Sequence, residues 1–168
     1  MNNQVQGLIT EAANRMTNQY NVYRDTKLGN EPLSFTAEYH RKDEKYFLTK
    51  KVRVYEVQNQ HFLFVKEIEH IAAKDIKRMT ESMLTHMKSF IPNQGEHMST
   101  MFAGVLVTEG EVANEAKKMA RRFRKIKFLN YGKDGWADLY IAIVQVKEKE
   151  IYIHKKGREL VYVFDTLL

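Results

Sequence analysis

Three residues near the end of the chain have the side chains that a Mg²⁺-dependent phosphodiesterase would need. Asp138 supplies a carboxylate, and Gln145 and Lys147 form a Gln-x-Lys pair. In such a site, carboxylate-type oxygens on neighbouring antiparallel strands hold the metal, and the lysine stabilises the attacked phosphate. The residue types are therefore suitable, and their spacing decides whether they can act together.

The spacing argues against a shared metal ion. Asp138 and Gln145 lie on one apolar run typical of a single buried strand, so a rise of about 3.3 Å per residue separates them by more than about 20 Å. Their odd offset also directs the two side chains to opposite faces of the sheet. Another strand-like run carries Glu67 and Glu69, but no aspartate stands opposite them. We therefore expect no metal site and no catalytic residue from these sets.

A second set of residues gives the enzymatic alternative, a metal-dependent phosphodiesterase built on loops. Glu96 and His97 precede one buried apolar run, and Asp134 and Asp138 surround the glycine that precedes another. If the two runs are parallel neighbours, both loops meet at the same edge of the sheet. Ordinary loop polarity is the other explanation of the same residues.

The densest charge in the chain favours binding over catalysis. Seven basic residues and no acidic one lie between Lys117 and Lys127. Apolar residues in the same stretch recur at helical spacing, which predicts one amphipathic helix with a basic, solvent-facing side. Such a side could bind the phosphates of a nucleic acid or rest on an anionic membrane, and a solvated face without a ligand is the plainer explanation. The residues assigned to this polyanion-binding face are Lys117, Lys118, Arg121, Arg122, Arg124 and Lys125.

A smaller basic pair, Lys51 and Arg53, shares one face of a predicted strand. Thr36 and Glu38 are expected beside it on the neighbouring strand. This polar surface could hold an anion, but such a surface is more often simply the solvated side of an antiparallel sheet. We include the pair among the candidate polyanion-binding residues.

Changes in hydrophobic period give the elements that must position these residues. The chain reads as helix 5–20, strands 33–40, 46–57 and 61–65, a helix from 76 that ends near Pro92, strand 101–107, helix 112–128, strand 138–147, strand 151–154 and an edge strand at 160–164. Short turns make the first three strands an antiparallel meander, and the long connection through the second helix permits a parallel neighbour. We therefore expect one α/β (α+β) domain over residues 1–168, in which three helices flank a mixed sheet with a meander and a C-terminal hairpin.

The order helix, three strands, helix, strand is similar to the αβββαβ core of the restriction-endonuclease-like nucleases. Short phrases also resemble a family of small uncharacterised bacterial and archaeal proteins that have no assigned activity. That resemblance implies a stand-alone cytoplasmic domain and brings no catalytic residue with it. The phrases are 45–51, 96–98, 133–138 and 155–157.

Composition excludes several classes of protein. The 168 residues suffice for one domain with a real core, and the chain has no cysteine for disulfides or thiolate metal sites. No segment reaches the roughly 18 apolar residues of a membrane span. We therefore expect a cytoplasmic location. The net charge of +6 permits attraction to a polyanion without selecting one. Together with the basic helix face, these observations lead us to expect a non-catalytic, cofactor-free protein that contacts nucleic acid or another polyanion. A homodimer formed through Tyr162 and Phe164, taken as surface residues, is a further alternative.

Overall fold

The computed structural model describes residues 3–40, 58–91, 98–129 and 135–168. The predicted strand 46–57 lies outside these ranges, and its place in the fold stays a prediction. The same holds for five of the candidate site residues. These are Lys51, Arg53, Glu96, His97 and Asp134.

The described part of the chain contains both helices and strands. Its α-helices are α1 (Asn3–Met16), α2 (Ala73–His86), α3 (Asn114–Arg122) and α4 (Tyr162–Leu167), with 3-10 turns at Met87–Phe90 and Lys155–Val161. Its strands are β1 (Asn21–Arg24), β2 (Lys27–Leu28), β3 (Glu31–Pro32), β4 (Phe35–His40), β5 (Gln58–Glu67), β6 (Met98–Thr108), β7 (Arg124–Phe128), β8 (Gly135–Gln145) and β9 (Glu150–Tyr152). The predicted single α/β domain with a mixed sheet is confirmed.

The main sheet has the strand order β1-β4-β5-β6-β8-β7, and β9 pairs with the second half of β8. An antiparallel meander is present, but its members are β1, β4 and β5, because β4 pairs directly with β5. The restriction-endonuclease-like order is not confirmed and stays a prediction.

The central strands run parallel, as the long connection through α2 permitted. β5 pairs with β6 and β6 with β8, both in parallel. The carboxyl ends of all three strands consequently lie along one edge of the sheet. The hairpin of β8 and β9 is also confirmed, with Lys149 in the left-handed region at φ 55° within its turn.

Two apolar clusters fill the two faces of the sheet. Along β8, Tyr140 and Ala142 pack with α1 and α4, whereas Leu139 and Ile141 pack with α2 and α3. Period two in a strand with apolar residues on both faces predicts this burial on both sides. The central strands thus form a rigid support from which the surrounding loops and the edge strand β7 project.

The third helix is shorter than predicted, and its second half is a strand. α3 ends at Arg122, and after the single extended residue Phe123 (φ −72°, ψ 118°) the segment Arg124–Phe128 pairs antiparallel with β8. The helical prediction to residue 128 was wrong because the apolar residues here fit both periods and no glycine or proline marks the boundary. Pairing with β8 outweighs the helix propensity of the basic residues.

The C-terminal edge strand predicted at 160–164 was also wrong. This stretch is a 3-10 turn that continues into α4, which packs against α1. Phe164 is completely buried there, while Tyr162 is 67% exposed. The prediction of three helices therefore missed the short α4, and Phe164 is not the surface residue that a dimer interface required.

Candidate functional site

The predicted basic helix face is divided between a helix and an edge strand. Lys125 pairs with Leu139 and Lys127 with Ala137, and both partners face the side of the sheet on which α3 packs. Because paired residues share a face, the two lysines extend the charged side of α3. We call this set of side chains the basic surface. Its residues are Lys117, Lys118, Arg121, Arg122, Lys125 and Lys127.

Contacts orient part of the basic surface toward the edge of the sheet. The Lys117 Nζ atom is 5.2 Å from the centre of the Tyr152 ring, and the Arg121 Cζ atom is 4.8 Å from it. Cation–π attraction of this kind holds the two side chains over the β9 strand without neutralising them. No member of the basic surface forms an ion pair within the described ranges. The charge of this surface is therefore uncompensated.

The excess charge of the whole chain is concentrated here. Residues 114–128 contain seven basic side chains and one acidic side chain, Glu115. The rest of the chain has twenty of each, so this short segment accounts for the full net charge of +6. Clustered charge creates a local field that the same charge spread evenly would not create.

Arg124 does not belong to the basic surface, although the sequence placed it there. Its Nε and Nη2 atoms donate to both carboxylate oxygens of Asp138, at 3.1 and 3.0 Å, and the Tyr140 hydroxyl donates to Asp138 Oδ2 at 2.9 Å. The hydrogen bond to Asp138 raises the pKa of Arg124. Burial, together with the hydrogen bond to Asp138, raises the pKa of Tyr140 to about 12. This cluster ties β7 to the core.

The same cluster bears on the enzymatic alternative. Asp138 is only 6% exposed, and both of its oxygens already accept hydrogen bonds, so it is not free to bind a metal ion. Gln145 lies at the other end of β8 and accepts a hydrogen bond from Tyr152 at 3.1 Å. No group of three histidine, aspartate or glutamate side chains in the described ranges could hold a metal. The part of this alternative that rests on Glu96, His97 and Asp134 stays a prediction.

The polar face proposed around Lys51 and Arg53 includes Thr36 and Glu38 on β4, and these two residues are less exposed to solvent than expected. Thr36 is 5% exposed, and its hydroxyl is hydrogen-bonded to that of Thr26 at 2.8 Å. The reason is that the chain preceding β4 covers this position. Glu38 is partly buried in the same strand and has an interaction of its own.

A cavity of about 630 Å³ opens at the carboxyl ends of the three parallel strands. We call it the carboxyl-end pocket. Its walls come from the end of β5, from the turn after β6, from the turn after β8 and from the first turn of α1. Ligands of α/β proteins commonly bind at this edge of the sheet, in cavities of this size. The lining residues are Val5, Glu67, Ile68, Glu69, His70, Glu109, Gly110 and Lys147.

Hydrogen bonds between two turns fix the floor of the carboxyl-end pocket. The Thr108 hydroxyl donates to the Glu69 carbonyl at 2.7 Å and accepts from the Gly110 amide at 2.9 Å. The Glu111 amide donates to His70 Nδ1 at 3.2 Å. A Cβ atom on Gly110 would lie 2.0 Å from the Glu69 carbonyl oxygen, so only glycine permits this approach. The pocket floor is consequently rigid.

The sequence analysis weighed three of the eight lining residues without connecting them. It considered Glu67 with Glu69, and Lys147 with Gln145, as metal sites, and it assigned no role to His70 or Glu109. A usable signal was present, because the polar turn from Thr108 to Glu111 directly follows a buried central strand. The enzymatic alternative was instead placed on loops that precede the strands, at the opposite edge of the sheet.

The chain belongs to the family described as Domain of unknown function (DUF8052), whose model matches residues 5–166. The resemblance to an uncharacterised family is thereby confirmed. No curated protein matches the chain, and no solved structure matches it either. Among the described helices, none has the length and apolar character needed to cross a membrane.

Proposed function

We propose that this protein is a non-catalytic binding protein that holds a nucleic acid on its basic surface. The observation that carries the proposal is the concentration of the entire net charge in residues 114–128, where six cations have no carboxylate partner within the described residues. A cytoplasmic location, expected from the sequence, is part of this proposal.

Phosphate neutralisation is the chemistry that suits this surface. Exposed lysine and arginine side chains bind phosphate oxygens, which fixes position on the nucleic acid without reading its bases. For each phosphate of a duplex that the protein neutralises, a plot of the logarithm of the association constant against the logarithm of the salt concentration becomes steeper, its slope more negative by about 0.9. If all six cations took part, the slope would be about −5. We therefore expect binding that depends strongly on salt and weakly on sequence.

The edge strand also carries an exposed aromatic side chain, on the face of β7 opposite to Lys125 and Lys127. Phe128 is 71% exposed at the end of β7, and Ile126 is 41% exposed on the same strand. Bases of single-stranded nucleic acid stack on such rings, and a duplex keeps its bases covered. Because Phe128 faces away from these two lysines, we expect the basic surface to show no preference for single strands that depends on stacking against this ring.

Protection of the sheet edge is the simpler role for part of this charge. Lysines on an exposed edge strand prevent its open backbone groups from pairing with another chain. That role explains Lys125 and Lys127 on β7, but it does not explain Lys118, Arg121 and Arg122 on α3. The two roles predict different results when the cations of α3 are replaced: edge protection predicts unchanged nucleic-acid binding, and phosphate binding predicts weaker binding.

The test compares two variants with the same change in net charge. The first carries Lys118→Gln, Arg121→Gln, Arg122→Gln and Lys125→Gln. The control carries Lys27→Gln, Lys88→Gln, Lys155→Gln and Lys156→Gln, all exposed and outside α3 and β7. Fluorescence anisotropy with a labelled duplex and a labelled single strand, at several salt concentrations, gives affinity and slope, and elution from heparin adds a polyanion without bases.

The basic-surface variant should bind at least about tenfold more weakly, and its salt slope should become less negative by about 3.6, from about −5 to about −2. The control should keep the wild-type slope, because its cations do not contact the phosphates. Equal losses in the two variants would show that only the overall charge matters, and an unchanged basic-surface variant would reject the proposal outright.

A further inference from the structure

The edge strand β7 leaves one side of its backbone open. It is the last strand in the order of the main sheet and pairs only with β8 among the described strands. The amide of Leu129, the residue after β7, donates to the carbonyl at the start of β8 at 3.0 Å. In an antiparallel ladder alternate residues direct their backbone groups to the same side, so Lys125 and Lys127 also bond to β8. The amides and carbonyls of Ile126 and Phe128 therefore point to the open side, where no described backbone group meets them.

The side chains of β7 give this open edge one charged face and one apolar face. Lys125 and Lys127 lie on the side of the sheet that packs against α3, and the side chains of Ile126 and Phe128 lie on the other side. All of them are exposed to solvent. Because successive side chains of a strand alternate between the two faces, a strand that paired with this edge would meet the lysines and the apolar residues at the same time.

A second copy of the chain does not suit this edge. Antiparallel pairing of two β7 strands around Ile126 would place Lys125 of one copy opposite Lys127 of the other. Like charges directly opposite each other destabilise a pair of strands, and lysines on an edge strand keep identical edges apart for this reason. The same two lysines attract a strand that carries carboxylates at the opposite positions. They therefore select the partner by its charge.

We propose that the open edge of β7 binds an extended acidic segment of a partner protein, which adds to the sheet as an antiparallel strand and in which acidic and apolar residues alternate. Backbone hydrogen bonds to Ile126 and Phe128 supply affinity. Carboxylates of the segment lie opposite Lys125 and Lys127, at the non-hydrogen-bonded positions of the new ladder, where facing side chains are closer together. Apolar side chains of the segment cover the other face. Phosphate binding does not need these backbone groups, so either interaction can fail without the other.

Peptides of equal composition test whether alternation matters. The probe is a fluorescein-labelled peptide of sequence Thr-Glu-Val-Glu-Val-Glu-Thr, and its binding is measured by fluorescence anisotropy. The block peptide Glu-Glu-Glu-Thr-Val-Val-Thr has the same charge without the alternation. The alternating peptide should bind at least about tenfold more tightly than the block peptide. Equal affinities would mean attraction by charge alone and would overturn the proposal.

Amide hydrogen exchange followed by NMR reports the new ladder directly. In the free protein the amides of Lys125 and Lys127 should be protected by β8, and those of Ile126 and Phe128 should exchange quickly. A saturating amount of the alternating peptide should slow exchange at Ile126 and Phe128 by at least about tenfold. Exchange in β1, at the other end of the sheet, should not change. Unchanged exchange at Ile126 and Phe128 would overturn the proposal.

A proline in β7 separates the backbone of the edge from its charge. Ile126→Pro removes an amide that points to the open side, a position at which an edge strand tolerates proline. The variant should bind the alternating peptide at least about tenfold more weakly. Ile126→Thr is the control that keeps the amide, and its loss should stay within about threefold. Both variants should bind the labelled duplex as the wild type does. Wild-type peptide affinity in Ile126→Pro would contradict strand addition.

Reversal of the two charges gives a change in preference that damage to the fold would not produce. The variant that combines Lys125→Glu with Lys127→Glu should bind Thr-Lys-Val-Lys-Val-Lys-Thr at least about tenfold more tightly than the acidic peptide, whereas the wild type should prefer the acidic one. A variant that kept the wild-type preference would show that these lysines do not select the partner, and the proposal would be wrong.

Discussion

The basic surface and the carboxyl-end pocket differ in how they are built as well as in charge. The basic surface consists of exposed side chains on α3 and on the edge strand β7. The pocket floor consists of backbone groups from two turns, joined by hydrogen bonds through Thr108 and by the close approach at Gly110. Substitutions on the basic surface should therefore leave the fold intact. Substitutions in the pocket floor should disturb the fold, because the floor is made of backbone groups.

The largest effect should come from a single methyl group in the pocket floor. Gly110→Ala places a Cβ atom 2.0 Å from the Glu69 carbonyl oxygen, and a backbone atom cannot move aside as a flexible side chain can. We expect the free energy of unfolding to fall by about 3 kcal/mol, as for a severe overpacking change. Urea denaturation followed by circular dichroism measures this loss.

Gly7→Ala is the control for this substitution. Gly7 lies within α1, and a Cβ atom there meets nothing within 4 Å. Alanine should stabilise the helix by about 0.5–1 kcal/mol because it removes the conformational freedom of glycine from the unfolded chain. If both variants had the same stability, the turn-to-turn contact would not be the rigid element that distinguishes the pocket.

Asp138→Asn tests the buried contact with Arg124 that ties β7 to the core. The asparagine side chain has no negative charge, and it offers the Arg124 guanidinium one acceptor oxygen where the carboxylate offers two. Because the Arg124 side chain is 34% exposed and can regain water, we expect a loss of about 2 kcal/mol instead of the larger cost of a fully buried pair. Thermal unfolding measures it.

The ion pair between Arg158 and Asp165 gives the comparison for that loss. Its distance is also 3.0 Å, but its side chains are 49% and 36% exposed. Asp165→Asn should therefore change stability by less than about 0.5 kcal/mol. A cost for Asp138→Asn as small as this would mean that β7 is not anchored by the carboxylate. Addition of Mg²⁺ or Mn²⁺ should not raise the melting temperature of the wild type or of the Asp138→Asn variant, because both oxygens of Asp138 already accept hydrogen bonds from Arg124 and Tyr140.

Patterns of hydrophobic spacing predicted the parts of the fold that depend on local periodicity. They predicted α2, the central strand β6 and the hairpin of β8 and β9. They failed for β7, because residues 124–128 satisfy helical and extended spacing equally and only the open edge of β8 decides between them. Local spacing cannot supply that decision, since it depends on a strand later in the chain.

Charge was easier to predict than the arrangement of the charges. The count of basic residues between 117 and 127 could be read directly, but the capture of Arg124 by Asp138 could not. The pocket was harder still, because Glu67, Glu109 and Lys147 lie far apart in sequence and meet only where three parallel strands end. A rule that searches the polar turns after buried parallel strands would have found them.

Two threonines of β6 sharpen the meaning of an unpartnered polar atom. Thr100 and Thr108 lie at opposite ends of β6, and both are 0% exposed. The Thr108 hydroxyl has two hydrogen bonds at the pocket floor, whereas the Thr100 hydroxyl has none from the described residues. Valine has nearly the same shape as threonine, so each substitution isolates the hydroxyl.

Thr100→Val should stabilise the protein by about 1 kcal/mol, because it removes a buried hydroxyl that has no partner, and Thr108→Val should destabilise it by a similar or somewhat larger amount. Chemical denaturation of the two variants gives both signs in one experiment. A loss of stability in Thr100→Val would mean that its hydroxyl has a partner, such as a bound water.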